Sequence, residues 1–184
     1  MTRRAKHAIA HHVLMRTRAV PDANVPSILN GDFEIAGAGG ADVFAGWTET
    51  AGSGSVVDTE DDGNHICALT AGATANTKVT NTSAVVPGMG YIIQFKAAGD
   101  GTYSGRYAIY DVTNSAYIVG VTDTYVPGLT FITRRIPFTA PAACVSVRIE
   151  LYCPTTDTGA AYFDDVVISI GAALYTKGVI LRVA

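Results

Sequence analysis

From Cys144 to Tyr152 the chain alternates without a break, with Val145, Val147, Ile149 and Leu151 on one parity and Ser146, Arg148, Glu150 and Tyr152 on the other. Successive strand side chains point to opposite sides, so this pattern fits an extended strand with one apolar and one polar face; on a helix it would scatter the apolar groups around the whole circumference. Tyr91, Ile93 and Phe95 against Ile92, Gln94 and Lys96 repeat it. The two stretches predict a core built from the apolar parity and an open face carrying Gln94, Lys96, Arg148, Glu150 and Tyr152.

The rest of the chain agrees. From Ile28 onward Gly, Pro, Asn and Asp interrupt short Val-, Thr- and Tyr-rich runs every eight to fifteen residues or so. Strands are expected near 30–36, 54–58, 64–71, 76–82, 90–98, 105–112, 116–121, 129–138, 143–152 and 161–170. That spacing predicts an all-β fold, an antiparallel β-sandwich or jelly roll. With 184 residues, 48% of them hydrophobic, the chain has enough apolar surface for one buried core. No apolar run approaches the roughly 20 residues that a bilayer-spanning helix needs, so no membrane partner is expected.

Two segments flank the sandwich. Residues 1–27 form an expected basic arm: Arg3, Arg4, Lys6, Arg16 and Arg18 occur before any acidic residue, giving residues 1–21 a charge of +5 and the remainder -8. A short helix is predicted from Ala5 to Met15, ending before Pro21 and Pro26. His11 and His12 interrupt the apolar stretch of Ala8 to Met15, so export by this segment is not expected. The five cations are assigned as assembly contacts to an acidic surface. They lack interleaved aromatics and a nucleic-acid reader motif, so no nucleic-acid partner is expected. Residues 171–184 read as an extra C-terminal strand, apolar enough to pair with the domain's own edge or with a neighbouring subunit.

Cys67, Cys144 and Cys153 are odd in number and show no metal-ligand spacing. Cys144 and Cys153 sit at opposite ends of one predicted strand, roughly 30 Å apart, too far to bridge. Reduced, buried thiols are expected, as in a cytoplasm.

Two aromatic-plus-carboxylate stretches frame the domain: Asn30-Gly31-Asp32-Phe33-Glu34 at its opening and Tyr162-Phe163-Asp164-Asp165-Val166 at its close. A carboxylate pair flanked by Tyr162, Phe163, Val166 and Val167 costs free energy unless hydrogen bonds or a cation compensate it, and calcium is the natural cation. Between the frames come Gly46-Trp47, Gly63-Asn64-His65-Ile66-Cys67-Ala68-Leu69, Val86-Pro87-Gly88 leading into Tyr91-Ile92-Ile93-Gln94-Phe95, and Phe138-Thr139-Ala140-Pro141. In this order the motifs resemble the jelly-roll carbohydrate-binding modules of families 4, 9 and 22, a type also found in bacteriophage virion proteins; the resemblance covers about residues 28–170. It implies a two-sheet antiparallel jelly roll with a structural calcium ion held between opening and closing strands, the ligands mapping to Glu34 and to Asp164 or Asp165. It also implies a sugar-binding face. Its candidates are Tyr103, Tyr107, Tyr110, Tyr117, Tyr125 and Tyr152 as platforms, with Gln94, Lys96, Arg106, Arg148 and Glu150 as polar partners. The single Trp, Trp47, falls at the family's structural Gly-Trp position.

No catalytic constellation is visible. Ser53 and Ser55 lack a nucleophile-elbow context, three of the four histidines lie in the arm, and Asp58, Glu60, Asp61 and Asp62 read as a solvated acidic loop. A non-enzyme is expected, in one of two roles. The first is a structural virion subunit, a phage capsid decoration or tail-associated protein. It would attach by its arm to a major capsid or other virion protein, or to copies of itself as a homo-oligomer, and display the jelly roll at the virion surface after assembly in the host cytoplasm, with surface glycans as further partners. The alternative is a stand-alone extracellular carbohydrate-binding module.

Overall fold

The computed structural model describes residues 26–73, 75–153 and 158–171. Within them are twelve strands and no helix: β1 (Ala36–Gly39), β2 (Asp42–Phe44), β3 (Thr48–Thr50), β4 (Ser55–Asp61), β5 (Asn64–Thr70), β6 (Thr77–Ala84), β7 (Gly90–Gly99), β8 (Arg106–Asp111), β9 (Ala116–Asp123), β10 (Ile132–Thr139), β11 (Ser146–Cys153) and β12 (Ala160–Ile170). The basic arm with Arg3, Arg4, Lys6, Arg16 and Arg18, the helix expected at Ala5 to Met15, and the extra strand expected beyond Gly171 lie outside the described residues. None of the described elements is a helix long and apolar enough to cross a membrane.

The strands form two antiparallel five-stranded sheets, ordered β10-β7-β12-β5-β4 and β3-β6-β11-β8-β9, with β1 and β2 as a small separate ribbon. From β5 to β12 every connection except the β8–β9 hairpin passes from one sheet to the other. This is the jelly-roll sandwich that the alternation predicts. Core side chains come from the inward parity of both sheets: Leu69, Ile93, Phe95, Phe163 and Ile168 from the first, Val79, Ile109, Val147, Ile149 and Leu151 from the second. Each buried side chain of this size contributes roughly 1.5–3 kcal/mol. Phe95 joins the layers, its ring centroid 5.4 Å from Tyr107 and 6.1 Å from Phe163. Tyr107 is therefore a core residue rather than a sugar platform. Val145, expected inside, is 55% exposed, because β11 starts one residue later and Ala143 turns the chain at φ +65°.

The opening motif departs from its predicted strand. Residues 30–35 form a turn in which Asn30 (φ +52°) and Phe33 (φ +57°) are left-handed. This lets Phe33 drop into the core, stacked on Trp47 at 4.8 Å and edge-on to Phe44 at 4.9 Å. The Asn30 amide donates to Ile35 O (2.8 Å) and Ala45 O (3.0 Å), its Oδ1 accepts from Ile35 N (2.9 Å), and its carbonyl accepts from the Trp47 indole (2.8 Å). Asn81 closes the same region, donating to Leu29 O and Gly46 O. The two framing motifs meet at one point, where Val166 N donates to Gly31 O at 2.7 Å. A Cβ at Gly31 would overlap the Val166 carbonyl, so only glycine permits that approach.

All three cysteines are buried, as expected. Burial pushes the Cys144 thiol up to about 11 and raises Cys67 well above its ordinary value, which keeps both as inert thiols.

Candidate functional site

The outward side of the β3-β6-β11-β8-β9 sheet is built from three cross-strand rows that follow from its register. Thr50, Lys78, Tyr152, Arg106 and Asp123 make the first row; Thr48, Thr80, Glu150 and Ala108 the second; Thr82, Arg148, Tyr110 and Tyr117 the third. Directly opposite residues in an antiparallel pair share a face, which brings Arg106, Tyr110, Arg148, Glu150 and Tyr152 together from two neighbouring strands.

Glu150 is the centre of this face and yet fully buried. Its lateral neighbours, Thr80 and Ala108, are small, while Arg148 and Tyr152, two residues away on its own strand, fold over it. Oε1 accepts from Arg148 Nε and Nη2, both at 2.6 Å, with Lys78 Nζ 3.9 Å away. Oε2 accepts from the Tyr152 hydroxyl and, at 3.4 Å, from the Tyr117 hydroxyl. A buried carboxylate with this many charged and neutral donors meets the condition for burying a charge.

The rings are arranged differently from the platforms predicted. Tyr152 is buried beneath Lys78, whose ammonium lies 5.7 Å from its centroid. Tyr110 carries the Arg148 guanidinium over its ring at 4.6 Å and meets Tyr117 edge-on at 5.1 Å. Tyr117 is the open ring, 52% exposed. Desolvation and the adjacent Glu150 carboxylate raise its phenol above the ordinary value, so it is a neutral hydroxyl near pH 7.

Gln94 does not join this face. It lies on β7 in the other sheet, where its Oε1 accepts from Arg135 Nη1 at 2.9 Å. Lys96, on the same outer side, points to the closing motif. The expected common face of Gln94, Lys96, Arg148, Glu150 and Tyr152 is thus split, because alternation fixes a strand's parity without assigning the strand to a sheet. Lys78, Thr80 and Thr82 are what the sequence reading missed. Their signal was present, as Lys78, Thr80 and Thr82 alternate with Val79, Asn81 and Ser83, but nothing local placed that strand beside β11. Tyr103 and Tyr125 lie on loops; Tyr125, 74% exposed, borders a cleft of about 360 Å³ with Asp123, Arg134 and Arg135, beside the edge strands β9 and β10.

The acids of the framing motifs sit on the first sheet's side. Glu34 accepts from His65 N at 3.0 Å, and Asp164 accepts from Asn64 Nδ2 at 3.3 Å and from Asp165 N at 2.7 Å. Opening and closing carboxylates therefore converge on two consecutive residues. Asp165 turns away at a bulge (φ +50°) and pairs with Lys96 at 2.6 Å. Among the described residues no three His, Cys, Asp or Glu side chains gather as a metal-holding group. Burial lifts the Asp164 carboxyl above the usual carboxylate range, a cost that its hydrogen bonds and Lys96, 4.0 Å away, do not cancel. Glu34 and Asp164 thus fit a hard cation in donor type, while Asp165 is engaged elsewhere.

No protein-family model and no curated protein matches this chain. Solved structures do. A family 4 carbohydrate-binding module superposes with a TM-score of 0.54 at 21% identity, covering 79% of this chain and 100% of that one. The CBM22-1 xylan-binding domain from Paenibacillus barcinonensis Xyn10C gives 0.53 at 13% identity, covering 80% and 97%. The enzymatically active domain of bacteriophage CBA120 tailspike protein 4 gives 0.58 at 18% identity over 79% of this chain, which spans only 21% of that one. At these identities the likeness is one of fold: the chain has the antiparallel jelly roll of the carbohydrate-binding modules.

Proposed function

We propose that the chain is a non-catalytic glycan-binding jelly roll whose ligand lies across the outward face of β3-β6-β11-β8-β9. The observation that carries this reading is the face itself: one exposed ring, Tyr117, next to fixed cations and hydroxyls in register across four strands, the combination of stacking surface and orienting polar groups that a sugar needs. Glu150, fully buried with both oxygens engaged by Arg148, Tyr152 and Tyr117, serves this face as an anchor for its cations and rings rather than as a general acid.

A phage virion role is a second reading, favoured by the tailspike neighbour and by the +5 arm. In it the same face is displayed while the arm attaches to a virion protein. One experiment addresses both readings. Calorimetry against a polysaccharide panel should give binding that Tyr117→Ala weakens about tenfold, the ~1.4 kcal/mol expected of one lost ring contact. Removal of residues 1–25 should leave that affinity unchanged and, on the virion reading, abolish incorporation into particles. An unaltered affinity in Tyr117→Ala, or release of reducing ends on incubation, would refute the face as drawn.

We further propose that calcium, when bound, is held by Glu34 and Asp164, where it adds to the positive charge that Lys96, 4.0 Å away, gives the buried Asp164. Saturating calcium should raise the melting temperature. At 100 times its Kd the gain is about 2.7 kcal/mol, several degrees in a domain of this size, and Asp164→Asn should erase it. Identical melting in calcium and in chelator removes this proposal.

A further inference from the structure

We propose that the ligand of this face is an acidic, uronate-bearing glycan whose carboxylates are received by Lys78 and Arg148. The inference rests on the glycan-binding reading above and names its substrate class.

It starts from the central carboxylate. Glu150 accepts two bonds from Arg148 on one oxygen and two tyrosine hydroxyls on the other, with Lys78 also near. A carboxylate has about four lone-pair sites, so this one has none left for a sugar hydroxyl. The cations around it remain open: the side chains of Lys78 and Arg148 are 29% and 34% exposed, against 0% for Glu150. Arg148 uses its Nε edge on Glu150, and the guanidinium's other N–H groups are left for a ligand.

Charge and hydrogen-bonding capacity then point the same way. Two cations stand over one buried anion, and the remaining charged pair on the face, Arg106 and Asp123, occupies directly opposite positions. Asp123 is further engaged with the Ser104 hydroxyl and with Tyr125 N at 2.6 Å. Apart from the Thr and Tyr hydroxyls, which donate and accept alike, and the engaged Asp123, the charged groups this face presents are donors. A neutral pyranose brings hydroxyls that the Thr and Tyr hydroxyls of the face can satisfy, but it makes no use of the charge of the two cations. A uronate brings charged acceptors, and charge-assisted bonds from guanidinium or ammonium to carboxylate are about twice as strong as neutral ones. Both cations are also held in advance, each over a tyrosine ring, so little side-chain freedom remains to be lost on binding.

The test is titration of the full chain, at low and at high salt, with polygalacturonate, its fully methyl-esterified form, xylan and dextran sulfate. Polygalacturonate should bind about tenfold or more tighter than the methyl ester and lose about tenfold between 50 and 500 mM salt. Lys78→Gln, checked for an unchanged melting temperature, should weaken polygalacturonate about fivefold and the methyl ester by clearly less, so that the preference for the acid narrows. Equal affinity for polygalacturonate, methyl ester and xylan overturns the acidic-ligand inference while leaving glycan binding intact. Dextran sulfate binding as tightly as polygalacturonate, with no response to Lys78→Gln, overturns it in favour of unspecific charge attraction. Failure to bind any of the four overturns it together with the glycan reading.

Discussion

Asn30→Ala should lower the stability of the domain by about 3 kcal/mol and its melting temperature by about 10 °C, measured by thermal and urea unfolding. Three contributions add. The substitution strips the amide donor from Ile35 O and Ala45 O and the acceptor from Ile35 N around the buried Asn30 side chain, and losing the donor and losing the acceptor each cost on the order of 1 kcal/mol. It also places alanine at φ +52°, a conformation that asparagine tolerates and alanine pays about 1 kcal/mol to adopt. Asn30→Gly separates the terms, because glycine loses the same bonds without the backbone cost and should be milder by that last amount. The turn also seats Phe33 on Trp47, so loss of near-ultraviolet aromatic signal should accompany the change. A shift below about 3 °C would show that the turn holds without the side chain.

Glu150→Ala should cost about 2 kcal/mol. The value stays below the 3–5 kcal/mol typical of a broken buried pair, because Lys78 and Arg148 are each about one-third exposed and regain water. What remains is chiefly the Tyr152 hydroxyl, buried and left without its acceptor. Tyr152→Phe added to Glu150→Ala should therefore recover about 1 kcal/mol, a non-additivity confined to residues in contact. Strictly additive unfolding free energies in this double-mutant cycle would contradict the network.

Why some of this was legible in the sequence and some not follows from the range of each signal. Alternation is local and strong, so the strand containing Arg148, Glu150 and Tyr152 and the strands at 64–70 and 90–99 fall where their residues predict. The opening motif misleads because Asp32, Phe33 and Glu34 alternate like a strand while left-handed Asn30 and Phe33 make a turn, a choice enforced by distant Trp47 and Ala45. β2 and β3, three residues each, are too short to carry a period. The candidate face was legible within one strand and not between strands: Gln94 has the right parity in the wrong sheet, and the burial of Glu150 depends on Thr80 and Ala108, neighbours that only long-range pairing supplies.

The two ends of the described chain are tied to the same corner of the sandwich. Ser27 N donates to the Ser83 hydroxyl at 3.1 Å near the end of β6, and Gly171 N donates to Gly90 O at 2.9 Å at the start of β7, on either side of one short connection. With residues 27 and 171 pinned beside each other, whatever chain is joined at those two points can be exchanged or lengthened without pulling the two sheets apart.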